Sequence, residues 1–165
     1  APKQRSMAAH GGLVQSPAVL RLLSDLREMQ KDAPEGASAA PVNDSNLFVW
    51  NGTVFGPSDT PWEGGIFSLR LTFCDQYPDK PPKVRFTTKM FHPNVYQDGT
   101  LCLDIISNKW SPSYTVGSVL TSIQSLLTDP NCASPANPEA AEQYLKDRTS
   151  YNRKVRRIAE ESLGA

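Results

Sequence analysis

The sequence is poor in the residues that staple or metallate small proteins. It has three cysteines and two histidines in 165 residues. The cysteine count is odd and no CxxC pair occurs, which argues against a disulfide framework or a zinc knuckle. Two histidines cannot supply most zinc-hydrolase ligand sets. Excess charge of one sign is also missing, because 17 Lys+Arg balance 17 Asp+Glu. That balance argues against a protein built mainly to neutralise nucleic-acid phosphates. No apolar stretch approaches the ~20 residues that span a bilayer, and the first 16 residues hold no apolar core of a secretory signal. A reducing compartment is the default for such a chain. Its length suits one domain, and a chain of roughly 150 residues buries about 70% of its unfolded surface, so staples are not required.

Proline is plentiful instead. There are 14 prolines, ten of them between Pro57 and Pro138. They punctuate the middle and leave both ends free to be helical. Residues 1–16 read as a flexible tail, with Ala1–Ser6 a cloning remnant before a native start at Met7, and residues 17–163 as the core. Ser16-Pro17 is helix-opening chemistry, a capping hydroxyl followed by proline at the first helical position. Val19, Leu22, Leu23, Leu26 and Met29 recur at helical spacing, and Asp32-Ala33-Pro34-Glu35-Gly36 ends the pattern near Lys31. The charged face of this helix suits either solvation or partner docking.

Strands are expected at 37–42, Leu47–Phe55, Ile66–Phe73 and Val84–Thr88. In the third, Phe67, Leu69, Leu71 and Phe73 point one way and Ser68, Arg70 and Thr72 the other. Helical spacing resumes at Val116 and ends before Asp129-Pro130-Asn131. Asn137-Pro138 opens one or two further helices. The order helix, strands, helices predicts an α+β fold with an antiparallel meander buried on one face.

Residues 89–114 follow neither period. Long irregular stretches inside a domain are usually functional, and this one holds His92, Asn94 and Cys102. A cysteine between two leucines is most often a small core hydrophobe, and Cys74 and Cys132 share that reading. Two chemistries compete with it. A Cys–His hydrolase would need His92 as base, but Pro93 fixes the backbone beside it, and bracing a turn is an equal use. Acyl transfer through a thioester needs no histidine, only an oxyanion donor and help for the incoming amine. An Asn amide is such a donor, and losing one typically costs 10²–10³ in rate.

Tyr77-Pro78-x-x-Pro81-Pro82, His92-Pro93-Asn94, Gly99-x-Leu101-Cys102-Leu103-Asp104, Trp110-Ser111-Pro112 and Leu126-Leu127-x-Asp129-Pro130-Asn131 occur in register. Together they resemble the ubiquitin-conjugating (carrier) enzymes over about residues 17–163. The resemblance implies that family's fold: an N-terminal helix, a four-stranded antiparallel meander, an active-site loop and C-terminal helices. It implies that Cys102 accepts ubiquitin as a thioester from the activating enzyme and passes it to a substrate lysine. Asn94 would stabilise the oxyanion or brace the loop. His92 and Pro93 would shape that loop, and Asp104 would contact the ubiquitin tail or brace it. The resemblance implies no cofactor, ATP being used upstream by the activating enzyme. It also implies a monomer in cytoplasm and nucleus whose partners are ubiquitin, the activating enzyme, ligases and protein substrates. The alternatives are a carrier for another ubiquitin-like modifier and a non-catalytic ubiquitin-binding scaffold.

Within the family, the motifs are most similar to carriers that ubiquitylate histones and replication-clamp proteins. Ser134 stands where many members carry an acid. It is either a loop cap before Pro135 or a proline-directed phosphosite that would restore negative charge. Ligase and activating-enzyme contacts would fall on Arg21, Asp79, Lys80, Ser111, Pro112 and Ser113. Asp79 replaces the aromatic that HECT-type ligases favour, so RING-type ligases are expected. Ser38 would lie on the outer sheet face, as a contact for a second ubiquitin or as a solvated serine.

Overall fold

The computed structural model describes residues 16–164; the tail expected over 1–15, with its Met7 start, lies outside them. Helix α1, Pro17–Lys31, begins as its capping chemistry requires. The Ser16 hydroxyl accepts the Val19 N–H at 3.4 Å, and Pro17 takes an opening position where no N–H is missed. Its inward side carries Ala18, Val19, Leu22 and Met29, and also the carboxylate of Asp25.

The sheet is the expected meander. Strands β1 (Ala37–Asn43), β2 (Asn46–Phe55), β3 (Ile66–Thr72) and β4 (Lys83–Phe86) lie antiparallel in the order β1-β2-β3-β4. On β3 the alternation holds, with Phe67, Leu69 and Leu71 buried. They pack with Trp50 and Val54 of β2, and with Leu22, Val119 and Ile123 from the helices. The fourth strand starts one residue earlier than expected and stops two earlier. Beyond Phe86 the chain bends, and the Thr88 hydroxyl, not a backbone carbonyl, accepts the Ser68 N–H at 2.8 Å.

Helix α2, Val116–Thr128, is capped by Thr115 and Ser118, each bonding the other's backbone. It is buried along Val116, Val119, Leu120, Ile123, Leu126 and Leu127. Two helices close the chain, α3 (Pro138–Lys146) and α4 (Arg148–Glu161). Asp147 separates them: its N–H donates to Gln143 and its carboxylate accepts the Ser150 N–H at 3.2 Å. Among the described residues no helix is long and apolar enough to cross a membrane.

Candidate active site

Residues 89–114 contain no strand and only one short 3-10 turn, Asp104–Ile106, yet their backbone is tied down repeatedly. Phe86 donates to Gly99 at 2.8 Å, Tyr96 to Thr100 at 2.9 Å, and Cys102 to Asn94 at 2.8 Å. Gly99 has φ +95°, and a Cβ there would lie 2.0 Å from the Phe86 carbonyl oxygen. No other residue fits that turn. The turn aims the chain back along β4, through isolated bridges Arg85–Thr100 and Val95–Leu101, to Cys102.

Cys102 is exposed. The core-hydrophobe reading therefore fails for it. It fails for Cys74 too, which is exposed where the chain leaves β3. Cys132 is partly buried, and burial pushes its thiol up.

His92 cannot serve as a base for Cys102. It is 1% exposed, its Nε2–H donates to the Leu126 carbonyl at 2.6 Å, and its Nδ1 accepts the Asn94 N–H at 2.9 Å. Burial holds its imidazole down, to about 4, although the Leu126 bond pulls the other way. The ring is a neutral spacer between the loop and the end of α2. The neighbouring Pro93 carbonyl accepts from both Ala136 and Asn137, at 2.8 and 3.0 Å.

Asn94 is 2% exposed. Its Nδ2 donates to the Asn131 carbonyl at 2.7 Å, and its Oδ1 accepts the Asn131 N–H at 2.8 Å. Of the two roles open to this residue, the structure displays the brace.

Cys102 stands on a ridge between two grooves. The first, about 480 Å³, is walled by α2 and the 129–134 loop. Asn94, Asp104, Asp129, Asn131 and Ser134 line it. The second, about 990 Å³, runs along β3, β4 and the 74–82 turn. Cys102, Leu103 and Ser107 belong to both. Asp104 opens the 3-10 turn and meets Lys109 at 3.6 Å, an exposed pair worth little. Cys102, Asn94, Asp104 and Ser134 thus all line one groove. Asp129 and Asn131 were missed, because Asp-Pro-Asn reads as a helix stop with no further role.

The expected docking residues form a separate cluster, and one changes role. Arg21 was expected to offer its charge to a partner. Its guanidinium instead donates to the Pro112 carbonyl at 2.9 Å, the Tyr114 carbonyl at 2.6 Å and the Asp25 carboxylate at 3.2 Å. It also lies 5.6 Å over the Tyr77 ring. Asp25 is buried and further accepts the Tyr77 hydroxyl. Desolvation, with Asp25 beside it, raises the Tyr77 phenol far above its usual range. Trp110 Nε1 donates to the Pro78 carbonyl at 2.8 Å, stitching the Ser111–Ser113 loop to the 77–80 turn. Asp79, Lys80, Pro112 and Ser113 remain exposed, Ser111 partly so. Ser38 is exposed on the outer face of edge strand β1, opposite Thr53.

The sequence profile described as "Ubiquitin-conjugating enzyme" matches residues 21–159. The chain belongs to the ubiquitin-conjugating enzyme family. It is 56% identical to ubiquitin-conjugating enzyme E2 3 of Arabidopsis thaliana over 147 residues, 89% of this chain and 97% of the plant protein. It is 56% identical to ubiquitin-conjugating enzyme E2 2 of Debaryomyces hansenii and 55% to the protein of that name in Candida albicans. These alignments cover 89% of this chain and 87% and 82% of the yeast proteins. As a ubiquitin-conjugating enzyme, it works with ubiquitin, an activating enzyme and ligases in general. Its thiol ridge and its Trp110–Arg21 end are two distinct regions of that enzyme, joined by α2.

Proposed function

We propose that Cys102 accepts the C-terminal carboxyl of ubiquitin by exchange with the activating enzyme's thioester, and delivers it to a substrate lysine with a RING-type ligase. The exposed thiol on its pinned ridge carries this reading. In the transfer, the amine nitrogen attacks the thioester carbonyl, a C–N bond forms, the C–S bond breaks and the sulfur leaves as thiolate. The amine's proton goes to solvent or to a groove carboxylate, and Asp104 and Asp129 are the carboxylates at hand. No resident cofactor takes part, and cytoplasm and nucleus are the setting. The exposed Asp79, Lys80, Pro112 and Ser113 form the ligase surface, and Ser38 a contact for a second ubiquitin.

The test is incubation with activating enzyme, ATP and ubiquitin. A thiol-sensitive adduct that disappears in Cys102→Ala supports the carrier. An unmodified Cys102 under those conditions would leave a ubiquitin-binding scaffold. Charging by a different modifier alone would redirect the reading to that modifier. For the ligase surface, Pro112→Ala should lower RING-stimulated discharge while Cys102 still charges.

A further inference from the structure

The two grooves beside Cys102 carry opposite charge. The groove against α2 is lined by Asp104 and Asp129 and by no Lys or Arg, although Asp104 also meets the exposed Lys109 outside the groove. The groove along the sheet is lined by Arg70, Lys80, Lys83 and Arg85 and by no Asp or Glu.

Folding does not explain these four cations. Arg70 and Arg85 are directly opposite each other across the β3–β4 ladder, and Lys83 precedes Arg85 by two residues on the same face. Like charges in that position destabilise a sheet. None of the four forms an ion pair among the described residues; those pairs use Arg21, Lys89, Lys109, Lys146 and Lys154. Arg70 donates to the neutral Asn51 amide at 3.0 Å, which leaves its charge uncompensated. Asp98 shares a neighbouring cavity with Arg85 and feels its charge, but it forms no ion pair with it and does not line the sheet-side groove. The same groove also presents apolar surface from Tyr96, Leu103 and Ile106, all at least partly exposed. Apolar surface beside cations suits an extended peptide bearing carboxylates.

We propose that the sheet-side groove binds an acidic segment flanking the acceptor lysine, so that the enzyme prefers lysines set in acidic sequence. This rests on the carrier function of Cys102. The opposed charges then sort the substrate: carboxylates lie along the sheet, and the lysine ammonium is drawn over the ridge towards Asp104 and Asp129.

The experiment compares two lysine peptides, one flanked by Glu on both sides and one with Gln in those places. Discharge of ubiquitin from Cys102 to each is measured at 50 mM salt. The acidic peptide should react roughly ten-fold faster, the order expected of two or three exposed ion pairs. That ratio should fall towards one in Arg70→Gln/Arg85→Gln and in high salt, and stay high in the remote Lys146→Gln. A ratio of one in the unaltered chain, or a ratio that survives the double substitution, would overturn the proposal. In parallel, fluorescence anisotropy of the acidic peptide is followed with the uncharged protein. Salt-sensitive binding lost in the double variant supports the groove even if Cys102 never charges, an outcome that would sink the carrier reading alone. No such binding overturns the groove. Tighter binding of a single-stranded oligonucleotide of equal charge would overturn the peptide assignment.

Discussion

The side-chain amide of Asn94 is held at both ends by the backbone of Asn131, donating at 2.7 Å and accepting at 2.8 Å. The Cys102 N–H in turn donates to the Asn94 carbonyl. Removing the amide leaves two backbone groups of Asn131 unpaired near the thiol. Asn94→Ala should therefore cost about 2 kcal/mol in urea unfolding and slow lysine discharge as the loop loosens. A collapse in discharge of 10²–10³ at unchanged stability would instead make the side chain an oxyanion donor.

Arg21 bonds to two loop carbonyls and one buried carboxylate. Arg21→Ala leaves Asp25 in the core with no cation, which should cost about 3 kcal/mol. Arg21→Lys should recover only part, because one ammonium cannot reproduce a planar fork. Pro112→Ala should lower RING-stimulated discharge without that loss of stability. Thermal unfolding of the three variants separates scaffold from contact surface.

His92 makes stability depend on pH. Its folded value is about 4, against 6.5 in the unfolded chain. Between those values the unfolded chain binds a proton that the folded one refuses. The stabilisation is complete above pH 6.5 and is lost as pH falls towards 4, to a total of about 3 kcal/mol. Urea unfolding from pH 7.5 to 4.5 should show that slope, and His92→Gln should flatten it while lowering the starting stability.

Ser134 lines the groove that holds Asp104 and Asp129. A negative charge there adds to the field that draws in an ammonium group. Ser134→Asp should speed discharge to free lysine several-fold at low salt, with the gain shrinking at high salt. Equal rates for the two proteins would reduce Ser134 to a loop residue.

The Arg70–Arg85 pair should trade stability for selectivity. Arg85→Gln removes a like-charge contact and should raise folding stability by ~0.2–1 kcal/mol, even as the preference for acidic peptides falls. A destabilised Arg85→Gln protein would mean that the arginine serves the fold.

Much of the architecture is legible in local chemistry. Ser16-Pro17 and Asn137-Pro138 mark helix starts because proline and a capping side chain have few other uses together. Phe67, Leu69 and Leu71 mark a strand because one face is buried. The motifs around Cys102 carry the family resemblance without any geometry. The rest depends on which groups meet across the fold. A helix arginine that faces solvent and one that clamps a loop 91 residues away have the same sequence signature. The facing of Arg70 and Arg85 needs the strand register, and the closure of Asn94 by Asn131 needs the loop after α2 brought back to it.

Helix α2 begins two residues after Tyr114, whose carbonyl Arg21 holds, and near its other end Leu126 accepts the His92 bond. From Thr115 to Leu126 the helical rise is about 17 Å. The helix thus serves as a ruler of fixed length between the Arg21-clamped loop, where we propose that ligases dock, and the thiol loop. On that proposal, a ligase seated at Pro112 acts on the thiol loop from a distance that the helix sets, whatever the ligase's own build.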